Sequence, residues 1–203
     1  MRKYLLIAFL ALIICCKKTS EKNYLGTEDH ELVKEGINVF EDMLNAYYPE
    51  KTLELSYETY FKSLVASLSR VSNNKLDSIH KFKKAILFLE KLKKKEKINI
   101  FWKIDTIEHL NFIKGIGYEN ELRPHIFMNT KQYLEYLKSI SKTEEFRTFL
   151  IDYTEKFKDI SFGVIVNGFL DSERKKVFKK DKEVFKIFVA FHVYYETILI
   201  QNL

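Results

Sequence analysis

The chain has 203 residues, and its 34 lysines and arginines against 28 aspartates and glutamates leave a formal net charge of +6. Lysine carries most of the positive charge; beyond the N-terminal segment the arginines are Arg70, Arg123, Arg147 and Arg174. Phosphate recognition draws on the bidentate fork of arginine, whereas dispersed lysines solvate a surface, so the balance argues against nucleic acid as a partner. With six glycines and with Pro49 and Pro124 as the two prolines, the composition favours long helices.

In chain order, Arg2 and Lys3 precede an apolar run over residues 4–14, which ends at Cys15 and Cys16. A helix needs roughly 20 apolar residues to cross a bilayer, so this run is too short for an ordinary transmembrane anchor and has the form of a secretory signal. An uncleaved signal anchor is the other reading. A cysteine directly after the apolar run, followed by Lys17, Lys18, Thr19 and Ser20, resembles the lipobox of bacterial lipoproteins. That resemblance covers residues 1–20 alone. It implies a diacylated cysteine at the start of the mature chain and a protein lipid-anchored in the bacterial cell envelope, facing the periplasm or the exterior.

Cys16 is the expected lipidation site, because the preceding position usually holds a small side chain and Cys15 suits it where Ile14 does not; Cys15 is the alternative. Loss of residues 1–16 removes Arg2 and Lys3, lowering the formal charge from +6 to +4. With Cys16 acylated and Cys15 removed, the mature chain has no free thiol, which excludes disulfide, thiolate-metal and cysteine-nucleophile chemistry.

Residues 17–27 are polar and aperiodic, as in a flexible tether; ten such residues reach roughly 35 Å. Residues 28–203 form the expected globular domain, long enough to bury a substantial core. Val33, Ile37, Phe40, Leu44 and Tyr47 recur at helical spacing and stop before Pro49. Ser56 is placed to cap a second helix carrying Tyr57, Phe61, Leu64, Leu68 and Val71, ended by Asn73 and Asn74. Leu76, Ile79, Phe82, Ile86 and Leu89 predict a third. Over residues 98–104 apolar and polar positions alternate, but Ile104, Ile107, Leu110, Phe112 and Ile113 carry a helical period onward and a lone strand would lack a partner. A helix over about residues 101–113, stopped by Gly115 and Gly117, is therefore the expectation. Asn129 with Gln132, and Ser141 with Glu144, have capping-box spacing and predict two more helix starts. After Ser161 a short apolar segment runs through Leu170, and a long helix from about Asp181 carries apolar residues on nearly every face. The expected fold is all-α, a single-domain bundle of six to eight helices with the apolar C-terminal helix at its centre.

Few residues suggest chemistry. His192 and Glu196, four apart on the last helix, could supply two metal ligands or an acid/base pair, although a histidine with a carboxylate neighbour more often satisfies a polar spot in a core. Asp77 and His80 have the i, i+3 spacing of helical di-metal sites, without the second copy those sites require. Glu108 with His109, and His30 among Glu28, Asp29 and Glu31, face differently on a helix; His125 follows Pro124 in a loop. Gly115 and Gly117 lack the third glycine of a dinucleotide turn, and no nucleophile elbow, zinc-protease helix or phosphate loop is present. The sequence therefore assigns no catalytic residue, metal site or cofactor. Lys81, Lys83, Lys84, Lys91, Lys93, Lys94, Lys95 and Lys97 form a basic tract that could rest on anionic lipid or be a solvated helix face. The expected function is that of a non-catalytic, lipid-anchored envelope protein binding another protein, as an inhibitor, immunity-type or assembly factor. The alternatives are a carrier or sensor of an apolar or aromatic small molecule held between helices, and a metal-dependent envelope hydrolase using His192 and Glu196.

Overall fold

The computed structural model describes residues 24–68, 74–113, 117–129, 131–155, 170, 176 and 179–201. The expectations at Cys15, Cys16, most of the tether, Asn73, Gly115 and the segment between Ser161 and Leu170 lie outside them. The described residues are mostly helical, in the order α1 (Thr27–Tyr47), α2 (Leu53–Leu68), α3 (Asn74–His80), α4 (Lys83–Lys94) and α5 (Ile98–Phe101). An antiparallel hairpin, β1 (Trp102–Ile113) and β2 (Gly117–Met128), follows. After it come α6 (Gln132–Ile140), α7 (Glu144–Glu155), α8 (Lys182–Val189), a π-helical turn (Ala190–Tyr195) and α9 (Glu196–Gln201). No helix among the described residues is long and apolar enough to cross a membrane.

The last helix, residues 182–201, is the core of the bundle. Val184, Ile187, Phe188, Val189, Phe191, Val193, Tyr194, Tyr195, Ile198 and Leu199 are all buried, as its nearly uniform hydrophobicity predicts. It crosses α1 at Gly36, where a Cβ would stand 2.6 Å from Phe191 Cζ and 3.0 Å from Phe88 Cζ. The missing side chain lets the backbones approach, and Tyr195 Oη donates to Gly36 O at 2.8 Å across the crossing. Tyr194 Oη reaches the other side and donates to Ile79 O at 3.1 Å, fastening α3 to the same helix.

α1 and α4 run antiparallel along a seam of ion pairs. Glu28, Glu35 and Asp42 are seven residues apart, hence on one face, and meet Lys95 at 2.6 Å, Lys91 at 2.6 Å and Lys84 at 2.7 Å. Asp29 meets Lys97 at 2.8 Å. Exposed pairs contribute little stability individually, but a ladder of matched charges disfavours other registers. α4 ends in a Schellman turn: Lys97 N donates to Leu92 O and Glu96 N to Lys93 O, with Glu96 in the left-handed region at φ 58°. This turn carries Lys97 back to Asp29.

Four local expectations are corrected. The helix expected over residues 101–113 is strand β1, and its partner β2 carries the proline and polar residues that read as loop. Pro124 pairs with Thr106 in register. It is tolerated because each strand of a two-stranded ribbon has one side free of ladder bonds. Trp102, Ile126 and Met128 root the ribbon in the core, and the β-branched residues Ile104, Thr106 and Ile107 suit the extended backbone. The third predicted helix is two, α3 and α4, parted by a turn at Lys81 and Phe82. Ser56 lies inside α2, its hydroxyl donating to Thr52 O at 3.1 Å, and Thr52 Oγ1 instead accepts from Leu55 N.

Neither capping box forms as expected. Asn129 Oδ1 accepts from Lys131 N at 3.0 Å, an Asx turn ahead of α6. At α7 it is Thr143 Oγ1 that accepts from Phe146 N at 3.3 Å, while Ser141 Oγ donates to Asp181 Oδ2 at 3.0 Å. Asp181 is 2 % exposed and gathers further bonds from Thr143 N at 2.9 Å, Lys142 N and Thr143 Oγ1. Burial alone would raise its carboxyl pKa, yet these donors prevail and hold it below the ordinary carboxylate value. One buried carboxylate thus joins the loop before α7 to the start of the last helix.

Two stability predictions follow from these contacts. Gly36→Ala should gain about 1 kcal/mol of helix propensity and lose more by overpacking, since Phe191 is boxed in by Phe88, Phe101 and Trp102 and cannot withdraw. A net loss of about 1–2 kcal/mol is expected, read as a lowered urea midpoint with unchanged slope. Asp181→Asn presents an NH2 group to donors and should cost about 3 kcal/mol by the same measurement. Because the native carboxyl sits below 3.8, its contribution is present above that pH and is lost as pH falls through the lowered value.

Candidate functional site

The π turn places His192 and Glu196 on one side of the last helix, His192 Nδ1 lying 3.4 Å from Glu196 Oε2. The distance is at the long edge of a hydrogen bond. His192 is 2 % exposed and the Glu196 side chain 14 %. Aromatic rings enclose the imidazole: Phe188 at 5.4 Å, Tyr133 at 5.5 Å, Tyr153 at 6.3 Å and Trp102 at 6.4 Å between centroids. Burial pulls the imidazole pKa down to about 3 and pushes the carboxyl up to about 8. At neutral pH both groups are therefore mainly uncharged. The arrangement that satisfies them is a carboxyl O–H donating to Nδ1, with the imidazole hydrogen assigned to Nε2. Among the described residues Nε2 is buried without a hydrogen-bond partner, as is Tyr133 Oη.

The widened turn has its own tie to the hairpin. Trp102 Nε1 donates to Phe191 O at 3.1 Å, and Thr197 Oγ1 donates to Val193 O at 2.6 Å. A π turn in an α-helix redirects backbone carbonyls, which then take side-chain donors. Trp102 is the first residue of β1, so the turn that carries His192 also holds the hairpin root. The sequence signal for this arrangement was the lone tryptophan between two apolar segments, but nothing local indicated its acceptor.

The remaining sequence candidates are dispersed. His80 is buried, with Nδ1 3.3 Å from Gln201 Nε2, whereas Asp77 is exposed. Burial lowers the His80 pKa to about 4 against a weaker upward pull from Asp77. The acids around His30 are each held by lysine, Glu28 by Lys95, Asp29 by Lys97 and Glu31 by Lys34, while the His30 ring meets Tyr136 edge-on at 4.9 Å. His125 packs on Phe127 at 4.3 Å. Glu108 is exposed, and the His109 side chain lies outside the described residues. Among the described residues no three His, Cys, Asp or Glu side chains gather as metal ligands. In the basic tract, Lys84, Lys91, Lys95 and Lys97 are engaged by α1.

Compared with protein-family models, with curated proteins and with solved structures, the chain finds no match.

Above the acid range in which Asp181 titrates, three buried groups among the described residues govern the pH dependence of folding. Glu196, held above its ordinary 4.5, contributes fully below that pH and loses its contribution as pH rises through about 8. His80 and His192, held below 6.5, contribute fully above 6.5 and lose it as pH falls toward about 4 and about 3. Between 4.5 and 6.5 two histidines outweigh one carboxyl, and above 6.5 Glu196 acts alone. Stability is therefore expected to peak near pH 6.5. Urea midpoints measured from mildly acidic to alkaline pH check this, and Glu196→Gln should flatten the alkaline decline and steepen the fall between pH 6.5 and 4.5, where Glu196 opposes the histidines.

Proposed function

We propose that the protein is a lipid-anchored, non-catalytic component of the bacterial cell envelope that binds another protein through its β-hairpin. The anchor is Cys16, acylated behind the signal segment of residues 1–16, with the tether of residues 17–27 leading to α1. The observation that carries the binding reading is the character of the ribbon. Its strands are 12 residues each, and Lys103, Ile104, Asp105, Thr106, Glu108 and Leu122 are exposed, Leu122 at 68 %. Register places Leu122 opposite Glu108, and Ile104 opposite Ile126, so a leucine and an isoleucine continue outward from the buried residues at the root. A strand with free backbone donors and acceptors and exposed apolar side chains is suited to extended peptide segments, since main-chain bonds supply affinity and alternate side chains supply specificity.

A surface role also suits the interior. The imidazole of the chemically suggestive pair is enclosed by rings of the core, and those rings pack closely on further rings: Phe101 on Phe191 at 4.6 Å, Trp102 on Phe191 at 5.6 Å, Tyr153 on Phe188 at 5.1 Å.

The test is capture of the full-length protein from its native envelope after mild cross-linking, beside Leu122→Asp and Cys16→Ala. A near-stoichiometric partner is expected, with recovery lowered about tenfold by Leu122→Asp, the loss of one apolar anchor. Cys16→Ala should abolish incorporation of labelled palmitate; label retained on the variant would move the site to Cys15. Repeated recovery of the wild type alone, or equal capture by Leu122→Asp, would sink the hairpin reading.

A further inference from the structure

The lysine tract of residues 81–97 divides into two sets. Lys84, Lys91, Lys95 and Lys97 face α1 and are matched to its acids. Lys81, Lys83, Lys93 and Lys94 are exposed outside that seam. Lys83, Leu87, Glu90 and Lys94 recur at intervals of four, three and four residues, hence on one face of α4, turned away from the buried Ala85, Phe88, Leu89 and Leu92. Leu87 is 51 % exposed in the middle of that face, and Lys93 flanks it. Glu90 and Glu96 are the exposed acids of this helix and its turn, fewer than the four lysines outside the seam. The chain before α1 adds Lys17, Lys18 and Lys22 against Glu21.

The point where the chain enters the domain lies beside this face. Glu28, in the first turn of α1, pairs with Lys95 at 2.6 Å and with Lys97 at 3.5 Å, so α1 begins next to the C-terminal end of α4. Leu25 is fully buried just ahead of it, which fixes the point of entry. Only residues 17–23 separate Cys16 from the first described residue, and seven residues span at most roughly 25 Å. An acyl group on Cys16 therefore keeps Lys93 and Lys94 close to lipid headgroups. So short a tether gives the face a high effective concentration at the bilayer, and a surface too weak to bind from free solution is then occupied.

We infer that the outer face of α4 rests on the anionic headgroups of the membrane that carries the anchor, with Lys83, Lys93 and Lys94 at the headgroups and Leu87 among them. Lysine suits this contact, because a charge on a flexible apolar stem meets a diffuse anionic surface without needing fork geometry. The inference rests on the proposed acyl anchor at Cys16 and on no property of the hairpin. It adds that the domain is held in one orientation. The lysines it uses are separate from those that α1 engages, so they can be replaced without disturbing the α1–α4 register.

The test places a polarity-sensitive fluorophore on the thiol of acylated Leu87→Cys protein and incorporates it into vesicles of phosphatidylcholine alone, or of phosphatidylcholine with phosphatidylglycerol. Emission is expected to lie to the blue on the anionic vesicles, and to return to the neutral-vesicle value when salt is added, since salt screens surface charge. Combining Lys83→Glu, Lys93→Glu and Lys94→Glu should remove the shift with unchanged far-ultraviolet circular dichroism. Protein that floats with both kinds of vesicle but emits alike on them overturns the docking and leaves the anchor standing, as does a shift that survives in the triple variant. Protein that floats with neither overturns the anchor, and the docking with it. If the triple variant does not fold, the salt series on the parent decides, and a shift that salt leaves unchanged refutes the docking.

Discussion

The tertiary structure depends on the close approach of two helices at Gly36. With no Cβ there, Phe191 lies against the α1 backbone, and Phe88, Phe101 and Trp102 close around its ring. Tyr195 then reaches the Gly36 carbonyl, a bond that forms only if the crossing is tight. A larger residue at position 36 would lift the last helix away from α1 and leave several buried aromatic rings without their partners. Dispersion and apolar burial at such contacts are individually small and collectively decisive, which is why one absent methyl group has long reach.

Polar interactions set register around this apolar centre. The ladder of Glu28, Glu35 and Asp42 against Lys95, Lys91 and Lys84 aligns α4 with α1. The Asp181 carboxylate joins the loop before α7 to the start of the last helix, using donors that would otherwise be unsatisfied near the core. The two devices differ physically. The ladder is exposed and screened, so it discriminates among arrangements more than it stabilises one. Asp181 is buried and multiply bonded, so its loss leaves several donors without an acceptor.

The hairpin and the buried pair complete a division of labour. The interior is filled by aromatic rings, of which Trp102, Tyr194 and Tyr195 donate to backbone carbonyls of other elements, and the acid and imidazole at its centre are held without charge. The ribbon carries the exposed apolar side chains of Ile104 and Leu122, yet it is rooted beside that pair. In the proposed reading, the anchor brings the domain to the envelope and the ribbon meets the partner.

The sequence by itself determined the helical class, most of α1 and α2, the start of the last helix and its central place, because apolar spacing and nearly uniform hydrophobicity are local properties of the chain. The pairing of His192 with Glu196 was also legible, since four residues along a helix place them on one side. Their uncharged state was not, because it comes from rings on α6, α7 and β1 that are distant in sequence. Tertiary structure alone decided the hairpin: residues 101–113 carry both periods, and what selects the strand is a partner across the turn whose Pro124 and polar residues disguise it. It decided equally which hydroxyl caps α7, for Ser141 was drawn away by Asp181, 40 residues on. Local spacing can nominate a helix, a cap or a pair; where two local choices lie close in energy, a contact from a distant segment selects between them.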